Sequence, residues 1–181
     1  MDPRDSFQLG EAVIYGMHGK CEIIGIETRE TDGQSVAYYK LEIQRSPLSR
    51  STRHEPAIWV PVTSAREKGM RPPIQACDSE AIYEILNSRE YYFSIQEPWS
   101  ALKPRIENSI RIEGGLGLAK ALSYLHVLKR KQIVASPEVN RMYEAVSKLL
   151  IRELNEATSE PTRNIEDRIA KSLRHKLIPS N

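Results

Sequence analysis

The sequence predicts an α+β protein in which a small, barrel-like β-domain precedes an all-helical domain. Between residues 7 and 62, short apolar runs alternate with turn signals at strand-like spacing. After residue 78, apolar residues recur every three or four positions, as they do on one face of a helix. The pattern changes at Arg71-Pro72-Pro73, so we predict a boundary there, with domains at residues 1–71 and 72–181.

The β-region contains one strong hairpin signal. Asp32-Gly33 separates two β-rich segments, residues 20–29 and 36–44. Ile23-Ile24 breaks the alternation just before Gly25, which predicts a β-bulge. The polar, basic stretch at residues 45–56 predicts an exposed loop before a last short strand. The second β-rich segment alternates between a buried face with Ala37, Tyr39, Leu41 and Ile43 and a solvated face with Tyr38, Lys40 and Glu42.

The second half of the chain predicts a series of helices. Asp78 is a suitable N-cap for the first helix, and Pro104 is suited to the first turn of the second. The glycines at positions 114, 115 and 117 predict a turn between that helix and the next. Ser136-Pro137-Glu138 combines a cap, a proline and an acid, which predicts a helix start. A final helix is predicted from Asn164.

The sequence lacks the clustered side chains that are typical of an enzyme. No metalloprotease, nucleophile-elbow or phosphate-loop motif is present, so we expect no enzyme activity, metal or cofactor. Cys21 and Cys77 lie far apart, which predicts reduced thiols in a cytoplasmic protein. The N-terminus predicts no signal peptide, and no apolar stretch is long enough to span a membrane. The histidines are scattered without ligand-like spacing: His18, His54, His126 and His175.

Positive charge is concentrated in the predicted helical domain. Residues 99–157 carry 10 Lys/Arg and 6 Asp/Glu, a net charge of +4, whereas residues 1–98 carry 11 and 15, a net charge of −4. Such a basic segment can attract phosphates, but it can equally be a solvated helical surface.

Trp99 admits two interpretations. It lies between two predicted helices, directly after Pro98, where an exposed connection is expected. It is either a core tryptophan of the helical domain or an aromatic wedge that stacks on bases while Lys103 and Arg105 hold phosphates.

Several motifs occur in an order that resembles a known family. Residues 7–19 read FQLGEAVIYGMHG, followed by Ile26-Glu27-Thr28-Arg29. Val60-Pro61, Gly69-Met70-Arg71-Pro72 and Pro98-Trp99-Ser100 come later in the chain. Together they resemble the CarD/CdnL/TRCF family of bacterial transcription regulators, whose opening is typically F-x-x-G-D-x-V-V-Y-P-x-H-G. The likeness covers nearly the whole chain.

The resemblance implies a concrete function. Residues 1–71 would form a Tudor-like β-barrel that binds the RNA polymerase β subunit, mainly through strand edges. The helical bundle at residues 72–181 would contact promoter DNA at the upstream edge of the transcription bubble and stabilise the open complex. The protein would act as a monomer in the bacterial cytoplasm, associated with the nucleoid through polymerase. The implied polymerase contacts are Arg29, Tyr38 and Trp59, and the implied DNA contacts are Trp99, Lys103, Arg105, Lys129 and Arg130.

The chain also departs from the family pattern. Trp59 occupies a position where some members carry arginine. Ala101-Leu102 stands where the family often has two arginines, so DNA contacts could be displaced or absent. A family paralogue that binds polymerase or another protein without DNA therefore remains an alternative, and an enzyme of unfamiliar fold is a more distant one. The role of the basic loop at residues 46–56 stays open.

Overall fold

A computed structural model describes residues 6–31, 33–44, 56–94, 97–131 and 137–174. The chain divides into two compact units, Met1–Pro73 and Ile74–Asn181. In the described residues the first unit contains five strands and the second contains five α-helices, which confirms the α+β class. The division lies two residues beyond the predicted boundary.

The first unit is an antiparallel sheet with the spatial order β4-β3-β2-β1-β5. The long strands β2 and β3 form a hairpin in which Thr31 pairs with Gln34. Gly33 adopts the left-handed conformation that this tight turn requires, with φ of 74°. Asp32, the other residue of the predicted turn, lies outside the described residues. The strands are β1 (Ala12–Tyr15), β2 (Gly19–Thr31), β3 (Gln34–Ile43), β4 (Ile58–Pro61) and β5 (Met70–Arg71).

The sheet is open in the described residues, so the closed Tudor-like barrel is not confirmed. β4 and β5 are its two edges, and closure would require them to pair. One face of the sheet nevertheless covers a compact core. Phe7 closes this core, and its backbone N–H donates a 3.0 Å hydrogen bond to the Tyr39 hydroxyl. The buried core residues are Phe7, Val13, Cys21, Ile23, Tyr39, Leu41, Val60, Ala65 and Met70.

The second unit packs five helices around a separate apolar core. Pro137 is the first residue of α4, as the sequence predicted. Leu122, Leu125 and Leu150 are among the fully buried residues at the centre. The predicted loop at residues 46–56 falls almost wholly outside the described residues. The helices are α1 (Ser79–Asn87), α2 (Trp99–Glu113), α3 (Gly115–Lys131), α4 (Pro137–Thr158) and α5 (Thr162–Arg174).

The prediction of Pro104 as a first-turn proline is wrong. α2 begins at Trp99, so Pro104 lies inside the helix and removes one backbone hydrogen bond. The helix continues through it because Leu102, Ile106 and Ile110 are buried along one stripe. Burial of this stripe therefore outweighs the local preference of proline.

The glycines between α2 and α3 have separate roles. Gly114 forms the turn, with φ of 60°, and the other two lie within α3. Gly117 is buried where α3 crosses α2. A Cβ there would meet the carbonyl oxygen of Ser109 and lie 2.7 Å from its carbonyl carbon. Only a glycine lets the two backbones approach this closely.

Candidate functional site

The bulge in β2 decides which face of the sheet carries Arg29. Cys21 and Ile23 are buried on the core side. The register shifts between Ile23 and Gly25, so Ile24 is the extra residue. Because side chains alternate along a strand, an unbulged strand would turn Arg29 toward the core side. The bulge places it on the outer face instead.

The three residues implied in polymerase binding share this outer face. Arg29 pairs with Val36, and Tyr38 pairs with Pro61 of β4. Trp59 pairs with Lys40, whose side chain points to the same side as that of Tyr38. The structure therefore brings Arg29, Tyr38 and Trp59 together on one surface, which we call the outer face.

Direct contacts link Arg29 to Trp59. The Arg29 Cζ atom lies 3.4 Å from the centre of the Trp59 ring, and the Lys40 Nζ atom lies 5.3 Å from it. Glu27 lies between the two cations, with carboxylate oxygens 4.0 Å from Arg29 Nη2 and 3.7 Å from Lys40 Nζ. These distances describe a cation–π cluster on the surface of the sheet.

Sequence reasoning missed Glu27 and Lys40 as members of this cluster. The strand alternation already assigned Lys40 to the solvated face, so part of the signal was present. The partner strand was not predictable, because β3 ends at Ile43 and β4 begins at Ile58, and a sequence separation of this length does not fix their register.

Among the described residues, the outer half of β2 has an unpaired edge. β1 pairs with β2 only between Gly19 and Glu22. The last backbone hydrogen bonds on this side are at Ile23, whose carbonyl accepts from the Gly10 N–H and whose N–H donates to the Glu11 carbonyl. Beyond that point, residues 25–31 have only β3 beside them among the described strands. At about 3.3 Å per residue this edge is about 23 Å long. Alternate backbone N–H and C=O groups along it are available to a partner strand.

Exposed apolar side chains lie near the start of this edge. Ile24 is 41% exposed and Ile26 is 50% exposed. Leu9, which is 66% exposed, precedes Gly10, whose N–H donates to the Ile23 carbonyl. Apolar residues beside an open strand edge are typical of a protein-docking surface.

In the second unit, the Trp99 side chain is hydrogen-bonded to a residue at the start of α4. Its ring is half-buried and packs against the apolar core. Its indole Nε1–H donates a 2.8 Å hydrogen bond to Glu138 Oε2. Glu138 is the second residue of α4, where the helix dipole favours a negative charge. The indole therefore has both a packing role and a satisfied donor.

Three of the implied DNA-contacting cations lie at the same end of the helical unit as Trp99. Lys103 follows Trp99 by one helical turn, about 40° around α2, and is exposed. Lys129 and Arg130 are exposed in the last turn of α3. The Lys129 Nζ atom lies 4.8 Å from the centre of the Tyr143 ring, within the first two turns of α4. Burial raises the pKa of the Tyr143 hydroxyl.

Arg105 lies elsewhere. Two residues of α-helix separate it from Lys103 by about 200°, so it points from the opposite flank of α2. It forms an ion pair with Glu97 and lines an open cavity of about 450 Å³ that also involves Asn108 and Lys120. The expected group of Trp99, Lys103 and Arg105 on one surface is therefore not formed.

We predict that Trp99→Ala lowers stability. Full truncation of a buried aromatic costs about 3–5 kcal/mol, so a half-buried ring that also loses a hydrogen bond should cost roughly 2 kcal/mol. Thermal melting of the full chain checks this. Trp99→Phe is the matched control, because it keeps most of the packing and loses only the bond to Glu138. A wild-type melting temperature for Trp99→Ala would show that the ring contributes no packing energy.

Among the described residues, no group of three or more His, Cys, Asp or Glu side chains could hold a metal ion. Within the same residues, no helix is sufficiently long and apolar to cross a membrane.

Comparison with known proteins identifies the first unit. Residues 7–74 match the family described as the CarD-like/TRCF RID domain, and this span covers the sheet and its core. No curated protein matches the chain. RID denotes an RNA polymerase-interacting domain, so the match indicates interaction with RNA polymerase. The similarity to the CarD-like/TRCF RID domain family therefore covers the sheet-bearing unit of this chain.

Proposed function

We propose that the protein is a transcription regulator that binds the RNA polymerase β subunit through its first unit and promoter DNA through its helical unit. The observation that carries the proposal is the unpaired edge of β2 beside the outer face, within the residues that match the RID family. The role is one of binding rather than catalysis.

The edge and the outer face would act together in polymerase binding. A strand of the β subunit would add to residues 25–31 through backbone hydrogen bonds, which supply affinity but little specificity. The apolar residues Ile24 and Ile26 would be covered in the complex. Arg29, which lies against Trp59 on the adjoining outer face, would contact the side chains of the partner.

DNA contact is proposed for the end of the helical unit that carries Trp99. Exposed Lys103, Lys129 and Arg130 supply positive charge there, and residues 99–157 have a net charge of +4. Such contacts hold phosphates and carry little sequence preference. Contact between Trp99 and bases would require the indole to leave Glu138, whose carboxylate also repels phosphate. Stabilisation of the open complex would then depend on that release.

We predict weak, salt-dependent DNA binding with a log–log salt slope of about −3, because three cations can reach phosphates together. Lys103→Ala should make the slope shallower by about 1. Arg105→Ala is the matched control, since Glu97 already pairs with this residue on the other flank of α2. Fluorescence anisotropy with a short duplex at several salt concentrations measures both. Equal effects of the two substitutions would contradict the assigned surface.

The paralogue without DNA binding remains the second candidate. The Trp99–Glu138 hydrogen bond favours it, as does Ala101-Leu102 in place of the family's arginines. Glu138→Gln separates the two candidates, because it removes a negative charge beside the three cations while it keeps the side-chain size. Tighter DNA binding by Glu138→Gln would support the DNA-contacting surface, and no binding by either protein would favour the paralogue.

The experiment that tests the proposed function uses the full chain with bacterial RNA polymerase core enzyme. We expect the two to co-elute in size-exclusion chromatography. The lifetime of an open promoter complex should then lengthen when the protein is present. Failure to co-elute would reject the polymerase assignment, whereas co-elution without a change in lifetime would support the paralogue.

A further inference from the structure

Trp59 is the residue of the outer face at which this chain departs from the family pattern. Where some family members carry a cation, this chain has an aromatic ring. The ring is half-buried on the edge strand β4. Its neighbour across the sheet is Lys40, and Arg29 reaches it from β2.

The contact between Arg29 and Trp59 is close enough to fix the guanidinium. A separation of 3.4 Å between Arg29 Cζ and the ring centre is van der Waals contact. Arginine loses much side-chain entropy when it is ordered by a partner. Because the Trp59 ring already orders the Arg29 side chain in the free protein, less side-chain entropy is lost on binding. This effect is called preorganisation.

This arrangement keeps the hydrogen-bonding groups of Arg29 accessible. The ring contacts Arg29 across its Cζ atom, whereas the N–H donors lie around the guanidinium edge. The Glu27 carboxylate is 4.0 Å from Nη2, beyond hydrogen-bonding distance. The side chain of Arg29 remains 47% exposed. A guanidinium held in this way suits a carboxylate, which can accept two parallel N–H hydrogen bonds from it.

The charge on the outer face is localised around the ring. Arg29 and Lys40 share Glu27 as their carboxylate neighbour, which leaves a net positive charge beside Trp59. Further along the same hairpin, Glu22 pairs directly with Glu42 and makes the other end of the ladder acidic. An acidic group on a partner is therefore favoured at the ring and disfavoured at the far end, which also fixes the direction of docking.

We propose that Trp59 is a positioning residue that holds Arg29 for a carboxylate of the partner strand. This inference rests on the proposed binding of polymerase and names the chemistry that the docking strand must present, namely an aspartate or glutamate side chain opposite Arg29. Trp59 acts through Arg29 and not through a contact of its own.

A double-mutant cycle on the full chain tests this mechanism. Affinity for RNA polymerase core enzyme is measured for the wild type, Arg29→Ala, Trp59→Leu and the double variant. We expect Trp59→Leu to weaken binding about two- to fivefold, the range of an exposed cation–π interaction. In the Arg29→Ala background the same change should have no effect. Trp59→Phe, which keeps a ring, should restore most of the affinity.

Two further measurements separate positioning from a structural role. Added salt should weaken binding of the wild type more than that of Arg29→Ala, because the contact with a carboxylate is ionic. In nuclear magnetic resonance spectra of the free protein, the Arg29 side-chain protons should show an upfield ring-current shift that Trp59→Leu abolishes.

The outcomes are distinct. Equal losses from Trp59→Leu in both backgrounds, or an unchanged Arg29 spectrum, would overturn the positioning role. If the wild type does not bind polymerase, the proposed function fails, and the spectrum alone then decides whether Trp59 holds Arg29. Melting temperatures of the four variants identify any that are misfolded, and Trp59→Phe then replaces Trp59→Leu in the cycle with a smaller expected loss.

Discussion

Gly117→Ala is expected to destabilise the helical unit by roughly 2 to 3 kcal/mol. The added methyl group would collide with the backbone of Ser109, which cannot move aside as a side chain can. Overpacking of a core typically costs about 1–3 kcal/mol, and the helix propensity gained from alanine offsets about 1 kcal/mol. A backbone collision belongs at or above the upper end of that range. The melting temperature should fall by about 10–20 °C.

Gly115→Ala is the control for this prediction. It lies two residues away, at the first residue of α3, and its methyl group would meet Cγ1 and Cδ1 of Ile74 and Cδ1 of Ile82. Those side-chain atoms can shift, so the cost should be about 1 kcal/mol or less. If the two variants melt together, α2 and α3 do not cross as closely as their backbones indicate.

Arg29→Glu is expected to weaken polymerase binding at least tenfold, equivalent to about 1.4 kcal/mol. The substitution removes the guanidinium, places a carboxylate beside Glu27 and repels an acidic partner. Because Arg29 is half-exposed, the fold should be unaffected, and the melting temperature should stay within a few degrees of the wild type. Biolayer interferometry with immobilised RNA polymerase core enzyme measures the affinity.

Lys68→Glu provides the matched charge reversal in the same unit. Lys68 is exposed in the turn before β5 and lies outside the outer face. Its reversal should weaken binding by less than threefold, as expected for a charge at a distance. A similar loss from both reversals would mean that net charge, rather than the outer face, determines binding.

Much of the fold followed from local signals. The hairpin of β2 and β3 was predicted from Asp32-Gly33 and the alternation of residues 36–44, because turn type and side-chain period act over short distances. The bulge was predicted from Ile23-Ile24 for the same reason. The order of the strands in the sheet was not predicted, because the pairing of β1 with β5 joins residues that are far apart in the chain.

The wrong prediction at Pro104 shows that burial of apolar side chains can outweigh a local helix preference. Proline at an interior helix position is disfavoured by about 3 kcal/mol, so the sequence favoured a helix that began near it. Burial of Leu102 and Ile106 on the same stripe can exceed that amount, since each fully buried side chain contributes about 1.5–3 kcal/mol. Such a balance depends on the neighbouring helices and cannot be computed from a local window.

The candidate sites were predictable only residue by residue. The resemblance identified Arg29, Tyr38 and Trp59, but their placement on one face depends on the bulge and on the register of β4. The bond between Trp99 and Glu138 joins residues 39 positions apart, and no local pattern predicts it. The two interpretations of Trp99 were open for that reason.

The most direct test of the central claim is hydrogen exchange of the full chain with and without RNA polymerase core enzyme. We expect polymerase to slow exchange of the alternate backbone amides of residues 25–31 that face the unpaired edge, because a partner strand would accept their hydrogen bonds. Amides of α5 should be unchanged and serve as the internal reference. Unaltered exchange along residues 25–31 in a sample where the two proteins are bound would contradict docking at the edge of β2.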